Sequence, residues 1–397
     1  MKKKRNEIKA KQTGLAWHYW LLPVVCLLWY FLYPETLGNI EAESFFVWTP
    51  DYVDSKLSEG VGGLFSLAAA FLSQFFRWRE GGALIQMLLF GCVMGLSDLL
   101  FNRLKCREAA WISLVIAGLF LYFQLHWARL EPAITVVMAF ALVVLCIVLL
   151  PERIRLCIPV RLLRMSNWKI HTGLSVAIVL LTFIIFAVSP PARYWEKKIA
   201  VRQAATATAW NAVLRFITPD EALHDPILQR YALLAFAGQD KLIENLPKFR
   251  LSSSDSFYFY LPSTPDERYF NALFYRSLGL YNEYVHQLFE TGIQYPDGMT
   301  FGCLRQIADG YLKMGNARLA QKYLTLLSRS TCHAGWVQSR TALLKVLEEK
   351  PVDTPDKSRF DIFIGSYPLL YEMELLLKEN PGNTRAKMYF DAASSIK

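Results

Sequence analysis

Residues 151–169, PERIRLCIPVRLLRMSNWK, carry five Lys/Arg against one Glu and separate two long apolar runs, 133–150 and 170–189. The side of a membrane on which this connector lies decides the fold, because it fixes the compartment of everything after it. Apolar runs of this kind match the ~20 helical residues needed to cross ~30 Å of hydrocarbon.

Working outward, the 397-residue chain is 53% apolar and 14% aromatic, beyond the range of an ordinary soluble enzyme. Five segments qualify as spanning helices: 15–33, 82–101, 109–127, 133–150 and 170–189. The first, LAWHYWLLPVVCLLWYFLY, has aromatic residues at both ends, as a membrane interface favours. It follows the basic tail 1–14 and has no small-x-small cleavage site, so it reads as an uncleaved signal anchor. A sixth stretch, VGGLFSLAAAFLSQFFRW (61–78), is Gly- and Ala-rich and broken by Ser66, Ser73 and Gln74. It either spans or lies as an interfacial or re-entrant helix.

Lys/Arg in short loops mark the cytoplasmic side. If 61–78 does not span, 14 cations fall inside and 4 outside; if it spans, the split is 9 to 9. The five-span arrangement therefore fits. It puts the opening connector in the cytoplasm and residues 190–397 outside. The membrane domain is then 15–189 and the extracytoplasmic domain 190–397. Residues 1–189 hold 18 Lys/Arg and 12 Asp/Glu, and 190–397 hold 25 and 22, so nothing points to nucleic acid.

The second half reads as paired helices, which makes the whole chain all-α. STPDERYF (263–270) has Thr264 as N-cap, Pro265 in the first turn and Glu267 closing a capping box. HDPILQRY (224–231) starts in the same way from Asp225 and Pro226. Residues 250–263 lack a helical period and read as an ordered loop with aromatic anchors. A shift of 36 residues aligns 265–298 with 301–334, bringing Ala272 onto Ala308, Tyr275 onto Tyr311, Gly279 onto Gly315 and Leu288 onto Leu324. This resembles the tetratricopeptide pattern, with departures: Tyr284 stands where the second copy has Ala320, and Cys332 stands where the first has Pro296. Stacked pairs bury what one pair cannot. The final stretch, LLLKENPGNTRAKMYFDAASSIK, reads as a further pair halted after one helix, either a cap or a shortened end.

Candidate chemistry is sparse. The outer loop YPETLGNIEAESFFVWTPDYVDSKLSEG holds Glu41, Glu43, Asp51 and Asp54, superficially the acidic first-loop arrangement of membrane glycosyltransferases that use lipid-linked sugars. The simpler reading is a solvated outer loop depleted in Lys/Arg. Cys303 and Cys332 fall at neighbouring ends of an antiparallel hairpin, which allows a disulfide outside the cytoplasm or two buried thiols. Asp98 and Gln86 are polar groups within an apolar run. Asp98 reads as a solvated helix end. His18, His126 and His171 read as interfacial. No cysteine or histidine spacing suits a metal, and no motif calls for a cofactor.

The chain resembles an uncharacterised bacterial family of multi-pass membrane proteins through YPETLGNIEAESFFVWTPDY, LSQFFRWREGGALIQMLL and DIFIGSYPLLYEMELLLKENPGNTRA. The resemblance implies a bacterial membrane location and a helical C-terminal half, with members commonly longer, and brings no activity. The expectation is a bacterial inner-membrane protein contacting lipid. Its outward helical-hairpin domain binds another protein or peptide as a scaffold. The alternative is a glycosyl- or lipid-transferring enzyme using the four acids above.

Overall fold

The computed structural model describes residues 17–104, 110–151, 168–251, 253–296, 298–349 and 368–396. The basic tail, most of the opening connector (152–167), Cys106, Cys157 and the DIFIGSY stretch lie outside them. Among the described residues every regular element is a helix, and the chain divides into two units. One comprises residues up to 41 together with 49–196; the other comprises 42–48 together with 197–397.

In the first unit a 3-10 turn, Trp17–Trp20, leads into α1 (Leu21–Leu32), followed by α2 (Pro34–Ala42), α3 (Pro50–Ser58) and α4 (Val61–Ser73). Then come α5 (Arg79–Arg103), α6 (Ala110–Gln124), α7 (Glu131–Leu149) and α8 (Trp168–Val188). Among the described residues three helices are long and apolar enough to cross a membrane: Arg79–Arg103, Glu131–Leu149 and a continuous run Thr172–Thr206. The pair His18–Leu32 and Pro34–Ala42, bent by 81°, makes a fourth if taken as one span. Trp111–Gln124 and Val61–Arg77 are apolar but shorter.

Glycines set how closely α1 and α5 approach. A Cβ on Gly91 would meet Leu22 at 3.2 Å, and one on Gly95 would meet the Tyr19 hydroxyl at 3.8 Å. His18 in turn reaches Asp98, so the two helices run antiparallel. The core between them holds Val25, Trp29, Phe90, Val93 and Met94.

The helix that follows α8, α9 (Pro190–Thr206), starts on two prolines. Pro190 and Pro191 lack the amides that would bond the carbonyls of Phe186 and Ala187. Tyr33 donates its hydroxyl to the Phe186 carbonyl at 2.5 Å, and Arg193 Nε donates to the Ala187 carbonyl at 3.0 Å. Both orphaned acceptors are thereby satisfied, and the helix continues through a dipeptide that would otherwise break it.

The same side chains fix the bend between α1 and α2. Arg193 Nη1 donates to the Leu32 carbonyl at 3.1 Å, at the C-terminal end of α1. Glu196 accepts from the amides of Glu35 and Thr36, each at 2.8 Å, at the N-terminal end of α2. A cation at a helix C-terminus and an anion at an N-terminus both complement the macrodipole.

In the second unit α10 (Trp210–Phe216), α11 (Pro219–His224), α12 (Pro226–Gly238) and the short α13 (Leu242–Asn245) follow α9. Two helical hairpins come next: α14 (Pro265–Ser277) with α15 (Tyr281–Ile293), and α16 (Phe301–Lys313) with α17 (Ala317–Ser328). Then come α18 (Ala334–Glu349), α19 (Leu369–Glu379) and α20 (Thr384–Ser394). The expected starts are present: Thr264 and Glu267 form a capping box, and Asp225 accepts from the amides of Ile227 and Leu228.

The two hairpins repeat at the spacing read from the sequence. Gly279 (φ 81°) and Gly315 (φ 69°) make the same left-handed turn. Each turn is closed by an equivalent bond, Leu280 N–H to the Tyr275 carbonyl at 3.0 Å and Asn316 N–H to the Tyr311 carbonyl at 2.9 Å. The departure at Tyr284 has its compensation on the facing helix. Gly310 has no side chain there, and a Cβ on it would meet Val285 Cγ2 at 2.7 Å and the Tyr284 ring at 3.3 Å.

Residues 253–263 lie in the stretch expected to be an anchored loop, and they are anchored. Phe257 and Tyr258 are buried, and Asn271 bonds both the amide and the carbonyl of Phe259. The chain's last stretch corrects the single-helix reading. Helices α19 and α20 are themselves a hairpin, and Leu369, Met373 and Tyr389 join the core built by α12, α14, Phe257 and Tyr258.

Candidate functional site

Helix ends leave amides and carbonyls without intrahelical partners. In a hairpin the N-terminus of one helix and the C-terminus of the next lie side by side, so they offer a donor and an acceptor together. At the α16–α17 hairpin both are taken by a stretch distant in sequence. Ser44–Thr49 has no regular structure. The amide of Phe301, in the first turn of α16, donates to the Ser44 carbonyl at 2.8 Å, and the amide of Trp48 donates to the Arg329 carbonyl at the end of α17, at 3.1 Å.

Side chains add direction to these main-chain bonds. The Trp48 indole donates to Thr331 Oγ1 at 3.0 Å while its ring is 59% exposed. Phe46 and Val47 are buried, and Phe45 lies against Phe301 at a ring distance of 5.4 Å. Gly302 admits the backbone: a Cβ there would sit 2.9 Å from the Ala42 carbonyl oxygen.

Glu43, the acid just before this stretch, is bound by a buried cation. Arg202 of α9 donates to Glu43 at 3.3 Å and to Asp266 at 2.9 Å, and its guanidinium lies over the Tyr269 ring. Burial opposes a charge here, but Asp266 and then Glu43 outweigh it and hold the guanidinium well above its usual range. Burial likewise raises Tyr231 and Tyr269 beside it, so both stay neutral phenols.

Beneath Phe301 lies His333, fully buried and stacked on that ring at 4.1 Å. Its Nε2 faces Arg305 Nη1 at 3.5 Å and its Nδ1 faces Ser330 Oγ at 2.8 Å. A guanidinium only donates, so Nε2 is the acceptor in that contact.

A family model described as a family of unknown function (DUF6057) matches residues 10–199 and 164–393, nearly the whole chain. The chain belongs to that family. Comparison with curated proteins and with solved structures gives no match. DUF6057 membership therefore fixes kinship without an activity, and the chemistry must be read from the residues.

In this DUF6057 chain the four acids of the first loop are dispersed. Glu41 is buried at the end of α2 in the first unit, Glu43 is engaged by Arg202 in the second, and Asp51 and Asp54 are exposed on α3. Among the described residues no three His, Cys, Asp or Glu side chains come together as a metal site.

Cys303 and Cys332 are both buried, as the second of the two readings their spacing allowed would have them. The Cys303 thiol bonds the Thr300 side chain and faces the Arg202–Glu43 pair, and burial first of all pushes it up to about 11.

The reading of Asp98 is corrected: it is not a solvated end, and its partner is His18. Both are buried, joined at 2.8 Å, with the Tyr19 hydroxyl donating to the same carboxylate at 3.0 Å. Gln86 bonds Gln124 at 2.7 Å. Phe90, Val93 and Met94 separate these two polar bridges along α5, so they act as interhelical links rather than as one polar path.

Arg202, Phe301, Thr331 and His333 were not singled out by the sequence reading. One signal was available, the run SFFVW inside an acidic loop, since a solvated loop has no need of four consecutive large apolar residues.

Proposed function

We propose that this chain is an integral protein of the bacterial inner membrane that presents its helical-hairpin domain outside the cytoplasm as a protein-binding scaffold. The basic tail is cytoplasmic, and the spans are 15–33, 82–101, 109–127, 133–150 and 170–189. The domain 190–397 lies outside. Several features support the membrane arrangement. Val143, Leu145, Leu180 and Ile184 are large apolar side chains left exposed on α7 and α8, as a lipid-facing surface requires. The antiparallel run of α1 against α5 needs the intervening chain to return to the side it left, which agrees with an interfacial 61–78.

One observation carries the binding role. The α16–α17 hairpin holds a non-helical segment by its main chain, through the orphan groups of two helix ends. Recognition of that kind reads backbone geometry first and side chains second, as scaffolding repeats do.

A photo-crosslinking residue at Ser328, on the exposed face of α17, tests the proposal in growing cells. Covalent adducts with another protein are expected on illumination. Adducts confined to this chain, from Ser328 and from Gln321 alike, would overturn it.

A further inference from the structure

Residues 42–48 belong with the helical-hairpin unit although their neighbours on both sides belong to the other. The chain therefore leaves one unit for seven residues, enters the second and returns. Two features separate this strap from the fold it lies on. First, neither the cluster around Tyr231, Phe274 and Tyr389 nor the one around Tyr284, Leu288 and Ile307 includes a strap residue. Second, Arg202 keeps Asp266 if Glu43 departs. The strap is thus seated outside those two clusters, with Phe46 and Val47 buried.

We propose that the strap is a built-in occupant of the partner site, and that the partner is a linear protein segment with a carboxylate followed three residues later by an aromatic side chain. This rests on the scaffolding reading and names its ligand. The seat dictates the chemistry. Arg202 takes a carboxylate where Glu43 sits. The buried position of Phe46 takes an aromatic ring. Phe301 N–H and the Arg329 carbonyl take the main chain, and Gly302 lets it approach.

A tethered occupant competes at an effective concentration on the order of millimolar, so an outside peptide meets a closed seat until the strap is loosened. The test uses the full chain in lipid nanodiscs. A fluorescein-labelled peptide of residues 41–49 is titrated by anisotropy, with a scrambled peptide as control and far-UV circular dichroism as a check on helix content.

Glu43→Gln with Phe46→Ala is expected to bind the peptide at least about tenfold more tightly than the parent chain, with helix content retained. Glu43→Gln alone is expected to fall between, and it decides the matter if the double variant loses helix. Three results overturn the proposal: no gain in binding by either variant, equal binding of the scrambled peptide, or loss of helix by Glu43→Gln itself. Any of these leaves the scaffolding reading standing on other faces. Peptide binding without cellular adducts at Ser328 does the reverse.

Discussion

Tyr33 donates its hydroxyl at 2.5 Å to the carbonyl of Phe186, the acceptor that Pro190 leaves without an amide. Tyr33→Phe keeps the ring and removes the donor, leaving a buried carbonyl unsatisfied at a cost of about 1–3 kcal/mol. Thermal unfolding of the purified protein should fall accordingly. Pro190→Ala in the same chain returns the amide and should recover most of the loss. A neutral Tyr33→Phe would contradict this account of the α8–α9 junction.

Gly310 faces Tyr284 and Val285 across the α15–α16 contact. Gly310→Ala places a methyl 2.7 Å from Val285 Cγ2, and overpacking of this kind costs about 1–3 kcal/mol. Adding Val285→Ala should relieve part of that cost. Chemical denaturation of the four members of the cycle measures the coupling, which should be non-zero and of compensating sign.

Cys303 is 2% exposed and its thiol is pushed up to about 11, chiefly by burial. Iodoacetamide at pH 8 should therefore leave it unmodified in the folded protein and modify it after denaturation, as peptide mass spectrometry can follow. Modification at equal rates in both states would show that Cys303 is not enclosed in the folded protein.

Glu221 closes the capping box of α11 and takes an ion pair from Lys197. The Lys197 hydrogen bond first, then the bonds from Thr218, lower its carboxyl from 4.5 to about 2. A carboxylate held below its unfolded value adds stability above that value and loses it as pH falls through the folded one. The contribution should be present above about pH 4.5 and fade toward pH 2. Glu221→Gln should remove that part of the acid dependence of the helical signal, leaving the remainder to other carboxylates. An acid transition unchanged in slope and midpoint would remove Glu221 from the account.

Local signals explain what the sequence made legible. Thr264 and Glu267, or Gly279 and Gly315, act within a few residues, so capping and turn chemistry announce them directly. The apolar runs behave likewise, because helix length and composition are local. Contacts with no local periodicity stayed hidden. Glu43 finds Arg202 across 159 residues and His18 finds Asp98 across 80, and neither partner differs in its own neighbourhood from a solvated charge. The helix through Pro190 and Pro191 was hidden for the same reason, since the donor that rescues it comes from Tyr33, 153 residues away from the acceptor.

The side of the membrane on which the hairpins lie is tested most directly by Ser328→Cys, at an exposed site of α17, with a membrane-impermeant maleimide applied to intact spheroplasts. The account predicts labelling above the parent chain before any lysis. Labelling that appears only after the membrane is permeabilised would contradict it.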